Sequence, residues 1–153
     1  MIATAGFGAL LVCASCFDVL RLRIPNIIPL GLVVLFAFRL LVEPGIDAPL
    51  EHFAAMALTL LILLPVFAFD MLGGGDIKLL SAVALWLGMP KLGALLILVG
   101  LLGGIFALFW LGMRWCIRTG LPDRRLPRSL QANAPLPFAL PIMIAAALLF
   151  ESS

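Results

Sequence analysis

Charged residues and helix breakers cut this chain into six apolar runs, and no other sequence feature constrains the fold as strongly. The runs are Ile2–Phe17, Ile24–Phe38, Phe53–Phe69, Leu79–Pro90, Leu92–Met113 and Leu130–Phe150. A membrane-crossing helix needs about 20 apolar residues, so six would use about 120. In a chain of 153 residues that leaves only short loops. Composition agrees: 64% of residues are hydrophobic and 12% charged, with a mean hydropathy of +1.23. A soluble domain carries roughly 25% charged residues, so this chain has too few to cover a soluble globule. Disorder, a coiled coil and a disulfide-stapled secreted scaffold are excluded too, since three cysteines in so apolar a chain staple nothing. Helices are expected rather than barrel strands, because the runs are long and lack apolar/polar alternation. The expected fold class is all-α, a polytopic membrane protein of about six transmembrane helices forming one integral-membrane domain over residues 1–153.

The loops set an expected orientation. With six spans, the first, third and fifth loops share one side and carry Arg21, Arg23, Lys78, Arg114, Arg118, Arg124, Arg125 and Arg128. Of the ten basic residues, only Arg39 and Lys91 fall on the other side. Basic loops stay cytoplasmic, so both termini are expected outside the cytoplasm, with Glu43, Asp47, Glu51 and Glu151. The fourth run is the shortest. From Ile77 to Pro90 it reaches only about 21 Å at ~1.5 Å per residue, against a hydrocarbon core of about 30 Å. It is kept as a span because without it the arginine-rich loop would fall opposite Arg21 and Arg23. Its shortness implies a thinned bilayer or a submerged start, with Asp76 in a pocket that water reaches. The first run has no basic leader and meets Asp18 rather than a small-residue cleavage site, so it reads as a retained helix.

Two carboxylates stand out. Asp18 ends the first run and Asp76 opens the fourth, which places both at the cytoplasmic edge. Ionisable groups at membrane depth usually face a bundle interior or a water-filled cavity. Two aspartates close together in a low dielectric share a proton, leaving one base and one acid. That pair can activate water against a peptide carbonyl and protonate the leaving amine. The plainer alternative is that each is a boundary residue, Asp18 near Arg21 and Asp76 capping a helix. Gly73, Gly74 and Gly75 precede Asp76; they accommodate positive φ and let another backbone approach. A substrate strand beside Asp76 or a plain turn would both use them. A phosphate loop is not expected, since the Gly-Lys-Ser/Thr ending is missing.

Asp18 followed by Arg23-Ile24-Pro25-Asn26, then Gly73-Gly74-Gly75-Asp76-Ile77-Lys78-Leu79, resembles the type IV prepilin peptidases, intramembrane aspartic proteases with a Gly-x-Gly-Asp motif. The later Ala134-Pro135-Leu136-Pro137-Phe138 is similar to their proline-rich lead into the last helix. The resemblance implies that Asp18 and Asp76 are the catalytic pair and that Gly73 and Gly75 shape the approach. It also implies a prepilin or pseudopilin substrate with a basic leader and an apolar helix, cut after the leader's terminal glycine at the bacterial inner membrane. Longer relatives carry an extra cytoplasmic segment with paired cysteines and also methylate the new amino terminus. Here only Val19 to Ile24 separate Asp18 from the run beginning at Pro25. The short form resembles the peptidases of tight-adherence (Flp-type) pilus systems, which implies no methyltransferase activity.

The remaining polar residues have plainer expectations. Cys13, Cys16 and the distant Cys116 offer no four-ligand zinc site, so neither metal nor other cofactor is expected, and helix packing by small residues is the better reading. Lys78 points away from Asp76 on its helix and reads first as a snorkelling anchor, then as a residue that orients Asp76 or substrate. Pro25 suits a first helical position and Asn26 a turn hydrogen bond, ahead of substrate contact. Asp70 is a possible partner for Lys78 or a loop arginine, and His52 an outer interfacial residue. Arg114–Arg128 is most simply a topogenic loop. The bilayer is an expected partner and nucleic acid is not. Two rivals stay open: a proton-coupled transporter, which would show inverted repeats or interrupted midplane helices, and a non-catalytic pilus-assembly scaffold.

Overall fold

The computed structural model describes residues 2–21, 23–43, 48–69, 72–118 and 138–151. All regular structure among them is helical: α1 (Ile2–Arg21), α2 (Ile27–Val42), α3 (Pro49–Ala68), α4 (Gly74–Leu87), α5 (Met89–Arg118) and α6 (Ala139–Glu151). Three are long and apolar enough to cross a membrane, over Ala3–Arg21, Pro49–Ala68 and Met89–Met113. Ile27–Val42 and Ala139–Phe150 are shorter apolar helices. Around the bundle Leu41, Leu61, Leu64, Ile97, Ile105 and Leu108 are all exposed. So wide an apolar surface suits lipid rather than water.

Contacts at the two ends show that successive helices alternate in direction. At one end Phe7 of α1 stacks on Trp86 of α4 at 4.6 Å and on Phe150 of α6 at 5.4 Å. There, too, Phe36 of α2 lies 5.2 Å from the ring of His52 in α3, and Lys91 of α5 donates to the Leu149 carbonyl of α6 at 2.6 Å. At the opposite end Asp18 of α1 meets Ala139 of α6, Lys78 of α4 meets Asn26 just before α2, and Gly74 lies against Phe67 of α3. Helices α1, α3 and α5 therefore run one way, and α2, α4 and α6 the other.

Helix α4 is the hub. It packs directly on α2, α3, α5 and α6, while α1 sits between α2 and α6. From Asp76 to Leu87 all of its residues but Lys78 are buried. The helices around it each bury a single stripe at helical spacing: Ala3, Phe7, Leu11 and Ala14 on α1; Ile28, Leu32 and Phe36 on α2; Ala55, Thr59 and Leu63 on α3. With 14 residues, α4 is only about 21 Å long. A short helix is tolerated there because its ends meet protein, so its free backbone groups are not left in hydrocarbon.

Several boundaries differ from the sequence expectation. Helix α1 continues through Asp18 to Arg21, since no breaker occurs before Pro25. Helix α4 begins at Gly74, so two of the three glycines are helical. It ends at Gly88, whose φ of +75° and ψ of 178° no helix can contain. Pro90, assigned to the fourth run, is the second residue of α5, where its missing N–H costs little. Helix α5 runs on to Arg118, so the first part of the Arg114–Arg128 stretch is helix and not loop. Helix α6 starts at Ala139; Asp47, Asp70, Arg124, Arg125, Arg128 and Ala134 to Pro137 lie outside the described residues.

Candidate active site

Asp18 and Asp76 come from helices that run in opposite directions, and each sits about one turn inside the same end of the bundle. Asp18 is 5% exposed and Asp76 9%, and the charge of Asp18 is felt at Asp76. Both are buried, although Asp76 also caps the start of α4, as the plainer reading has it. Asp18 lies on the buried stripe of α1, one turn beyond Ala14 and Ser15, so helical spacing aims it inward. Its Oδ2 accepts the Ala139 backbone N–H at 2.8 Å. Ala139 is the first residue of α6, so this carboxylate takes one of the donors that a helix start leaves without an intrahelical partner.

Asp76 is held differently. It is the third residue of α4, and the Gly73 backbone amide interacts with its carboxylate, as an acidic third residue does in a capping box. A Cβ at Gly73 would stand 3.0 Å from Asp76 Oδ2. The other oxygen, Oδ1, is buried and has no hydrogen-bond partner among the described residues. An unsatisfied buried carboxylate oxygen is costly. Oδ1 is the one buried side-chain oxygen among the described residues left without a partner.

The glycines act through closeness and not through positive φ: Gly73 has a φ of −67°, and Gly88 is the one described glycine with a positive value. A Cβ on Gly75 would meet Ile24 Cβ at 3.2 Å, with the Ile24 backbone N and O at 3.6 Å. The approaching backbone at Gly75 is thus this chain's own segment before α2. Gly74 faces the Phe67 ring, 3.3 Å from the same hypothetical atom. The glycine run lets two other parts of the chain, the segment before α2 and α3, close on the start of α4.

Lys78 and Asn26, more than fifty positions apart, are brought together. Lys78 Nζ donates to Asn26 Oδ1 at 3.1 Å on the exposed side of the bundle end. Asn26 consequently makes no side-chain cap on α2, contrary to the turn role expected of it. Pro25 stands two residues before the first helical residue rather than at it, and its carbonyl accepts the Ile28 N–H at 3.0 Å. Among the described residues, neither Lys78 nor Asn26 forms a hydrogen bond or ion pair with the two aspartates.

Other expectations are corrected. Cys13 and Cys16 are exposed on the outer face of α1 and do not pack in the bundle; Cys116 is exposed as well. The inward positions of α1 are taken by Ala14, Ser15 and Asp18 instead. His52 does lie at the far end, but it is half-buried, and its ring N–H at Nδ1 donates to the Leu85 carbonyl at 2.8 Å, closing the end of α4. The sequence reading passed over Ser15. Its Oγ donates to Leu11 O at 3.0 Å and lies 3.4 Å from both Ala139 O and Met143 Sδ, beside the Asp18 bond. Its spacing of three from Asp18 was the available signal.

Two buried, mutually interacting carboxylates at one end of an apolar helical bundle define the class: a membrane protein with an acidic site enclosed by its helices. A sequence model of the Type IV leader peptidase family matches residues 5–108, a stretch that holds Asp18 and the Gly73–Asp76 run. The chain belongs to that family, and a leader-peptidase-like activity follows from membership. No curated protein and no solved structure matches the chain significantly.

Proposed function

We propose that this chain, as one integral-membrane domain, is an aspartic endopeptidase. It removes the leader from type IV, Flp-like prepilins or pseudopilins at the cytoplasmic face of the bacterial inner membrane, without N-methyltransferase activity. The observation that carries the reading is the meeting of Asp18 and Asp76, 58 positions apart in sequence, as two buried carboxylates that sense each other's charge. Two interacting carboxylates in a poorly hydrated site share one proton. The ionised member takes a proton from water as the oxygen attacks the scissile carbonyl. The protonated member gives its proton to the leaving amine as the C–N bond breaks.

Each aspartate takes a backbone N–H at a helix start, Asp18 from Ala139 of α6 and Asp76 from Gly73 before α4, so either member of the pair can carry the charge. Orientation rests on charge: Arg21, Arg23 and Lys78 lie at the end that holds the aspartates, Arg39 and Lys91 at the other. The test uses the purified full chain in detergent and a synthetic peptide with a basic leader followed by an apolar stretch. Mass spectrometry should find one leader-length product, and Asp76→Asn should lower the rate at least ~100-fold. Undiminished cleavage by a folded Asp76→Asn protein would end the aspartic mechanism.

A further inference from the structure

Asp76 lines a cavity of about 120 Å³ bounded by α3, α4, α5 and α6. Apart from Asp76, every side chain on its wall is apolar, Leu80, Val99, Phe138 and Ile142 among them. A buried water needs two to four polar partners. This space offers it a single carboxylate, so an apolar group is the better occupant. In size the cavity falls a little below the ~150 Å³ that accommodates a benzene ring in another protein. It therefore matches one side chain of a branched aliphatic or compact aromatic residue.

The wall is tied to both aspartates. Asp76 belongs to it. Phe138 contributes a ring to the wall, and the next residue donates the N–H that Asp18 accepts. A peptide bond placed between the carboxylates would thus set a flanking side chain at this opening. Two glycines of α5 determine how much room is left. A Cβ at Gly103 would come within 2.5 Å of Phe138 Cε1, so glycine there is what lets the ring lie against α5. Gly100 is itself part of the wall, and a Cβ added to it meets no atom within 4 Å.

Resting on the peptidase reading above, we propose that this cavity is a specificity subsite. It receives one apolar side chain flanking the cleaved bond, with Phe138, held by Gly103, and Gly100 setting the size it accepts. The experiment measures kcat/KM for the full chain in detergent on a set of synthetic leader peptides. In these the glycine before the cut is kept and the residue after it is varied through Ala, Leu and Phe. Wild type should discriminate among the three at that flank. Gly100→Val narrows the cavity and should lower the Phe-to-Ala ratio at that flank at least ~10-fold, within the range typical of hydrophobic pockets. Phe138→Leu, which shortens the wall, should raise the same ratio. Gly100→Ala, one methyl in open space, should move it in the direction of the valine variant and keeps the test readable if that variant fails to accumulate. Unchanged ratios in all three variants, or an equal fall for every peptide, would overturn the subsite while leaving the peptidase standing. Failure of wild type to cleave any peptide would remove the peptidase reading itself.

Discussion

Asp18 has two separable jobs in this structure, and a pair of substitutions tells them apart. Its Oδ2 holds the Ala139 N–H at 2.8 Å, and its carboxyl is proposed to exchange a proton with Asp76. Asparagine retains an acceptor oxygen of the same reach but cannot exchange a proton near neutral pH. Asp18→Asn therefore keeps the cap on α6 and loses only the favourable charge at the helix start, about 0.3–1 kcal/mol. Asp18→Ala removes the acceptor as well and leaves a buried N–H unpaired, for about 1–3 kcal/mol. Activity should not follow that order. Both variants lose a general acid–base partner, typically 10²–10⁴-fold, so each should fall at least ~100-fold, about 2.7 kcal/mol in the barrier. The assay is conversion of a leader peptide, read beside an apparent melting temperature in detergent at a fixed scan rate. Glu43→Gln, at the opposite end of the bundle, is the control and should retain full activity. If Asp18→Asn keeps activity within a factor of ten while Asp18→Ala loses it, Asp18 is a cap and not a proton carrier, and the paired-aspartate mechanism is wrong.

Gly88→Ala should destabilise the protein by about 1–3 kcal/mol, because φ +75° with ψ 178° is a region nearly closed to other residues and the new Cβ would press on His52 at 3.1 Å; an unchanged apparent melting temperature would refute this. The Arg39 hydrogen bond, with its charge, holds the Glu43 carboxyl below the usual carboxylate range. A lowered acid contributes stability above its unfolded pKa that is lost as pH falls through the folded one, so Glu43→Gln should have its small effect at neutral pH and none well below pH 4. In a background lacking the native cysteines, single-cysteine labelling should place Arg23 and Arg125 on the cytoplasmic side and Glu43 on the other; labelling of the first two from opposite sides would cancel the orientation. Product made in the presence of S-adenosylmethionine should keep a free amino terminus, and a gain of one methyl mass would reverse the short-form assignment.

Sequence alone determined the helical, membrane-embedded class, because 64% hydrophobic content and six long apolar runs leave the backbone no other way to satisfy its polar groups. It also singled out Asp18, Asp76 and the glycine run, since charges and consecutive glycines stand out against so uniform a background. What it could not supply was which face of each helix turns inward. In a membrane the lipid-facing side is as apolar as the packed side, so hydropathy carries no periodic signal. Hence Cys13 and Cys16 read as packing residues although Ala14 and Ser15 are the ones that pack, and Ser15 went unnoticed beside Asp18. The same limit hid the partners. That His52 closes the end of α4, that Lys78 reaches Asn26, and that Ala139 hands its N–H to Asp18 are facts of assembly between helices 33, 52 and 121 positions apart. Only the packing of the helices against one another decided them, because a contact between distant segments depends on the rotation and direction of both helices and not on either sequence by itself.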